Sequence, residues 1–109
     1  MSKKAIISQP MSGLKEETIV EARERAISWL LDNGYEVVNT LFTDEWYKPE
    51  NMEKRGVINI PLCFVAKSLE NMSKVDAVYF VDGWRSARGC LVEHLAAKSY
   101  GLNTIYEKE

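Results

Sequence analysis

Glu93 interrupts an otherwise small and apolar stripe. Its neighbours at three- and four-residue spacing are Gly89, Cys90, Ala96 and Ala97, with Tyr100 seven residues on. On a helix these share one face, so a carboxylate stands where side chains would pack. Small residues at 89, 96 and 97 would let that helix approach a sheet closely and hold Glu93 in its second turn, near the positive pole. A carboxylate fixed there can act as a nucleophile or a base. The competing reading is a structural glutamate, solvated or paired with Arg25, Arg85 or Arg88. Asp82 directly follows the apolar run Ala77-Val78-Tyr79-Phe80-Val81. There an aspartate either enters a cleft beyond the strand end or caps the next turn.

The second group is the loop Ser8-Gln9-Pro10-Met11-Ser12-Gly13. It lacks the three spaced glycines of a dinucleotide fingerprint and the Gly-Lys-Ser/Thr ending of a nucleotide-triphosphate loop, which disfavours nicotinamide cofactors and triphosphate hydrolysis. A proline-shaped turn with two hydroxyls and free amides at a helix start suits a sugar or phosphate oxygen, or is only a turn. Trp46, Tyr47 and Trp84 are stacking surfaces for a planar ligand or ordinary core aromatics. Cys63 and Cys90 are far apart and His94 is the only histidine, so no metal-ligand spacing exists and neither a metal nor a cofactor is expected. Cys90 among apolar neighbours reads as a small buried hydrophobe.

The elements that must position these residues follow from pattern. Ala5-Ile6-Ile7 is a strand that ends at the proline and glycine of the loop. Ile19, Ala22, Ala26, Trp29 and Leu30 recur at helical spacing between about Lys15 and Asn33, with Glu16 and Glu17 at the start and Gly34 as the stop. Glu36-Val37-Val38-Asn39 is a second strand, so the first unit is strand, helix, strand. Residues 40–59 have no clean period and form a candidate lid. Pro61 opens a helix that carries Leu62, Val65, Ala66, Leu69 and Met72 to about Ser73. Residues 77–81 are apolar throughout, as in a central strand covered on both faces. A third helix runs from about Ser86 to Tyr100, and Asn103-Thr104-Ile105-Tyr106 is a last, edge strand. The chain therefore reads as a single α/β domain, a doubly wound, flavodoxin- or Rossmann-like parallel sheet of order 2-1-3-4. Ligands of such sheets bind beyond the carboxyl ends of the strands, where the order reverses, here between strands one and three. That is where residues 8–13 would meet residues 82–93.

Composition bounds the function. The 109 residues, 46% of them apolar, suffice for one core. Fourteen basic and sixteen acidic residues are mixed along the chain for a net charge of −2, which leaves no basic surface for polymeric nucleic acid. No apolar run approaches a membrane span and Met1-Ser2-Lys3-Lys4 leads straight into a strand, which together predict a cytoplasmic protein without a membrane partner. Four short strands with open edges, the aromatic residues between Phe42 and Tyr47, and Trp29 predict a homo-oligomer.

Ile7-Ser8-Gln9-Pro10-Met11-Ser12-Gly13 after the first strand, with Gly83-Trp84, Ser86, Arg88-Gly89 and Glu93-His94 after the third, resembles a small bacterial and phage domain family. That family is of unassigned function and related to nucleoside 2-deoxyribosyltransferases. The resemblance covers nearly the whole chain, and its most specific element is a glycine four residues before a helical glutamate, Gly89 and Glu93. It implies that Glu93 is the nucleophile that attacks an anomeric carbon. It also implies a small-molecule nucleoside or nucleoside 5′-monophosphate as partner, the serine-glycine segment ahead of Glu93 receiving the sugar's 5′ end. Under this reading the protein is an N-glycosidic bond hydrolase or transferase with Asp82 as proton donor. The substrate would be held by Ser8, Pro10, Met11, Gly13, Trp46, Gly83, Trp84, Ser86 and Gly89. The chain is shorter than typical transferases of that kind. The alternatives are a non-catalytic nucleotide-binding or sensing module and an oligomeric interaction domain.

Overall fold

The computed structural model describes residues 3–38 and 48–108. Strand β1 (Lys3–Ser8) leads into helix α1 (Glu16–Asp32) and strand β2 (Tyr35–Val37). After residues 39–47, which lie outside the described residues, come helix α2 (Pro49–Lys54), helix α3 (Ile60–Met72) and strand β3 (Ala77–Phe80). A single 3-10 turn, Trp84–Ser86, precedes helix α4 (Arg88–Ser99) and strand β4 (Asn103–Tyr106). All neighbouring strands are parallel and the order is β2-β1-β3-β4. This is the α/β architecture and strand order that the pattern predicts, with β4 at an edge.

Two segments differ from expectation. Within the aperiodic stretch 40–59 stands α2, which has Pro49 and Glu50 in its first turn, Lys54 in its last and Met52 buried. Six residues are too few for an apolar period to register, so only the capping chemistry of Pro49 marks it. The lid expected over 40–59 thus falls partly outside the described residues. The third predicted helix is divided: Ala87 is extended between the 3-10 turn and α4, so the helix proper begins two residues later than its periodicity suggests.

The chain winds from β1 outward to β2, then returns across β1 to β3 and on to β4. Right-handed crossovers taken in opposite directions place their helices on opposite faces. Accordingly Ala5, Ile7, Ala77, Tyr79 and Val81 pack on Ala22, Ala26 and Leu30 of α1. On the other face Ile6, Val78 and Phe80 pack with Met72 of α3 and with Cys90 and Ala97 of α4. β3 is buried along its whole length, as a central strand must be. On α1, Trp29 is 41% exposed and rests against Tyr79, ring centroids 5.7 Å apart. No described helix is long and apolar enough to cross a membrane.

Candidate active site

Alternation along β1 decides which way Ser8 points. Ile6 belongs to the face under α3 and α4, so Ser8, two residues on, projects to that same face. It pairs in register with Phe80 of β3, and its carbonyl accepts from the Val81 N–H at 3.0 Å. Ser8 is 1% exposed. A hydroxyl buried there requires a partner, and it finds one in α4: Ser8 Oγ donates to Glu93 Oε1 at 2.8 Å. The contact bridges 85 positions of sequence and lies between the carboxyl end of β1 and the second turn of α4.

Helix α3 supplies the other wall. Val65 faces Gly89, where a Cβ would stand 3.6 Å from Val65 Cγ2. One turn further on, Ser68, 8% exposed, hydrogen-bonds the Glu93 carboxylate. The bare face of Gly89 is therefore turned to α3, while Ala97 packs on the sheet side with Cys90. Burial raises the pKa of Glu93 above the ordinary carboxylate range, and the hydrogen bonds from Ser8 and Ser68 oppose that rise. Cys90 lies beside them. Burial is the chief reason its thiol is pushed up to about 11, with the charge of Glu93 adding to the effect against a hydrogen bond to Ser8. Cys90 is thus a protonated, inert thiol at neutral pH.

The ion pairs considered for Glu93 go elsewhere. Arg25 binds Glu107 at 3.1 Å, and the Arg85 guanidinium lies 5.1 Å from the centre of the Trp84 ring.

The loop and the turn meet as expected. Gly83 has φ of 93°, which a side chain would strain, and a Cβ there would stand 3.6 Å from Pro10 Cγ. Gln9 is buried and its Nε2 donates to the Ile19 carbonyl at 2.8 Å, which ties the loop to α1. Its Oε1 has no partner among the described residues. Met11 and Gly13 lie at the surface, where Leu14 N–H donates to the Met11 carbonyl. Ser86 is exposed and its N–H donates to the Gly83 carbonyl.

The remaining site residues are not brought to the glutamate. Asp82 is exposed, its carboxylate 3.6 Å from Lys108 Nζ and its N–H donating to Glu107 Oε1. It does not cap the turn that follows; Gly83 holds that place. Trp84 is 6% exposed and stacks on His94 at 4.2 Å, in a cluster with Phe80 and Tyr106. Its ring is core, joined to a His94–Tyr106 hydrogen bond of 2.7 Å. Trp46 and Tyr47 lie outside the described residues. Among those described, no cluster of side chains suited to a metal ion exists.

Ser68 is the site residue that sequence reasoning missed. Its signal is its place three residues after Val65 and four before Met72, a hydroxyl on the packed stripe of α3. A shallow concavity of about 660 Å³ lies elsewhere, on the exposed first turns of α1, lined by Lys15, Val20 and four glutamates. It is a solvated helix face on which no buried group converges.

A family model described as a domain of unknown function, DUF4406, matches residues 3–106. The chain belongs to this family. The DUF4406 match takes in every element from β1 to β4, and with them Ser8, Ser68 and Glu93. Neither a curated protein nor a solved structure matches the chain.

Proposed function

We propose that this DUF4406 chain breaks or exchanges the N-glycosidic bond of a nucleoside or nucleoside 5′-monophosphate, with Glu93 as the nucleophile. The observation that carries the reading is the 2.8 Å hydrogen bond from Ser8 to Glu93 beside the carboxyl ends of β1 and β3, the place where open α/β sheets bind ligands. The relation to nucleoside 2-deoxyribosyltransferases, drawn from the loop and the Gly89–Glu93 spacing, supplies the reaction class. In the first step a Glu93 oxygen bonds to the anomeric carbon as the bond to the base nitrogen breaks. The base leaves with the bonding pair and takes up a proton. In the second step water, or an acceptor base, displaces Glu93 and restores the carboxylate. The reading rests on Glu93 and not on Asp82.

The test is a panel of nucleosides and 5′-monophosphates, with released base followed by chromatography. Wild type is expected to release base from at least one of them. Glu93→Gln, which keeps the shape but lacks the nucleophilic carboxylate, is expected to lose nearly all turnover while still binding. A 2-fluoro sugar analogue should add its mass to wild type at Glu93 and leave the Gln variant unlabelled. Full turnover by the Gln variant overturns the mechanism.

A second reading, nucleotide binding without catalysis, is favoured by the position of Asp82, whose carboxylate pairs with Lys108 at the surface. Equal nucleotide binding by wild type and Glu93→Ala, with no base released by either, would select it.

A further inference from the structure

We propose that Ser68 of α3 is a positioning residue: together with Ser8 it grips the Glu93 carboxylate from two sides and keeps it ionised and aimed inside a packed wall. This deepens the glycosidic reading above and rests on it only for its catalytic consequence.

The argument begins from geometry. Glu93 lies where α3, α4 and β1 converge, and the groups that face it from the other two elements are uncharged hydroxyls. From β1 comes Ser8, 1% exposed and 2.8 Å away. From α3 comes Ser68, 8% exposed. On α4 itself the titratable neighbour is Cys90. A carboxylate removed from water is costly unless donors replace the lost hydration. Two hydroxyl donors meet part of that need and add no compensating cation, so the charge stays available for chemistry.

The order of donors is fixed as well. Ser8 has one hydroxyl proton, and it goes to Glu93. The Cys90 thiol, which also hydrogen-bonds Ser8, must then donate to the Ser8 oxygen and hold the hydroxyl in the orientation that serves the carboxylate. The thiol's high pKa keeps it a donor throughout the neutral range. An ionised carboxylate offers about four lone-pair sites. Ser8 and Ser68 occupy two, which orients the group and leaves lone pairs for an incoming carbon. Neither serine needs to touch substrate.

The experiment reads the grip directly. With side-chain carboxyl carbons labelled, the titration of Glu93 is followed by NMR in wild type, Ser68→Ala and Ser68→Thr, after its resonance has been assigned through Glu93→Gln. Ser68→Ala is expected to move the Glu93 midpoint to higher pH, because a donor to the charged form is gone, and Ser68→Thr is expected to restore it towards wild type. In the base-release assay the acid limb of the pH profile should shift the same way, with kcat reduced by about tenfold or more, the value of one hydrogen bond to a charged group, and KM held. Alanine removes little volume and favours the helix; Ser8→Ala serves as a second variant, with the same upward shift expected. An unchanged Glu93 midpoint in both alanine variants overturns the proposal. A shifted midpoint in a protein that releases no base supports the grip and overturns the catalytic reading instead.

Discussion

The two faces of the sheet are lined by alternate residues of the same strands, yet they are built differently. Under α1 the contacts are aliphatic or aromatic: Ala5, Ile7, Ala77 and Tyr79 against Ala22, Ala26 and Leu30. Under α3 and α4 a comparable apolar cluster, Ile6, Val78, Phe80 and Ala97, is broken at one end by Ser8, Ser68 and Glu93. An apolar face needs only complementary volume, whereas a buried carboxylate needs each donor in its place. The contrast separates the part of the molecule that provides stability from the part that gives up some stability to hold a charge.

The comparison can be broken most forcefully on the α1 face. Leu30 is fully buried, and Leu30→Ala is expected to cost about 2–5 kcal/mol in urea denaturation. The Glu93 titration should be unmoved in that variant; a displaced midpoint would mean that the faces are coupled through the strands.

A smaller effect of opposite sense belongs to Glu93. Its folded pKa is raised by burial above the ordinary value of 4.5. The folded state therefore holds the proton more tightly than the unfolded chain. The associated stability is present below the ordinary value and is lost as pH rises through the folded value. Glu93→Gln abolishes that loss, so the melting temperature of the variant should gain on wild type from about pH 4.5 upward and then level off. A gap independent of pH would show that the charge carries no penalty.

The smallest effect is the adjacent residue's, with the sign reversed. Burial, with Lys98 and Arg85 adding to it, holds His94 below the ordinary imidazole value of 6.5. Its contribution is present above that value and fades as pH falls through the folded value. Comparison of wild type with His94→Gln between pH 7 and 5 should show the wild-type advantage shrinking on acidification. A constant difference would remove His94 from the acid response.

How far these features could be read in advance depends on their physical signal. The strand order was legible because Pro10, Gly34, Pro61 and Gly101 punctuate runs whose period changes between two and 3.6 residues. Glu93 was legible because a charge among Gly89, Cys90, Ala96 and Ala97 contradicts its surroundings. Ser68 was not, since serine is unremarkable on either side of a helix and only the tertiary fold shows which side is packed. Trp84 and Asp82 carried no discriminating signal. An aromatic ring serves core or ligand equally well, and the pairing of Asp82 with Lys108 joins the end of β3 to the end of β4 across sequence that no local pattern links.

The alternation that turns Ser8 toward α4 also makes the position of the site a matter of parity. Shifting β1 by one residue against β3 would exchange the faces of Ile7 and Ser8, setting an isobutyl-like side chain against Glu93 and a hydroxyl against Leu30's side of the sheet. A redesign of this scaffold can therefore lengthen the loop after Ser8 by any number of residues, but can move β1 past its neighbours only in steps of two.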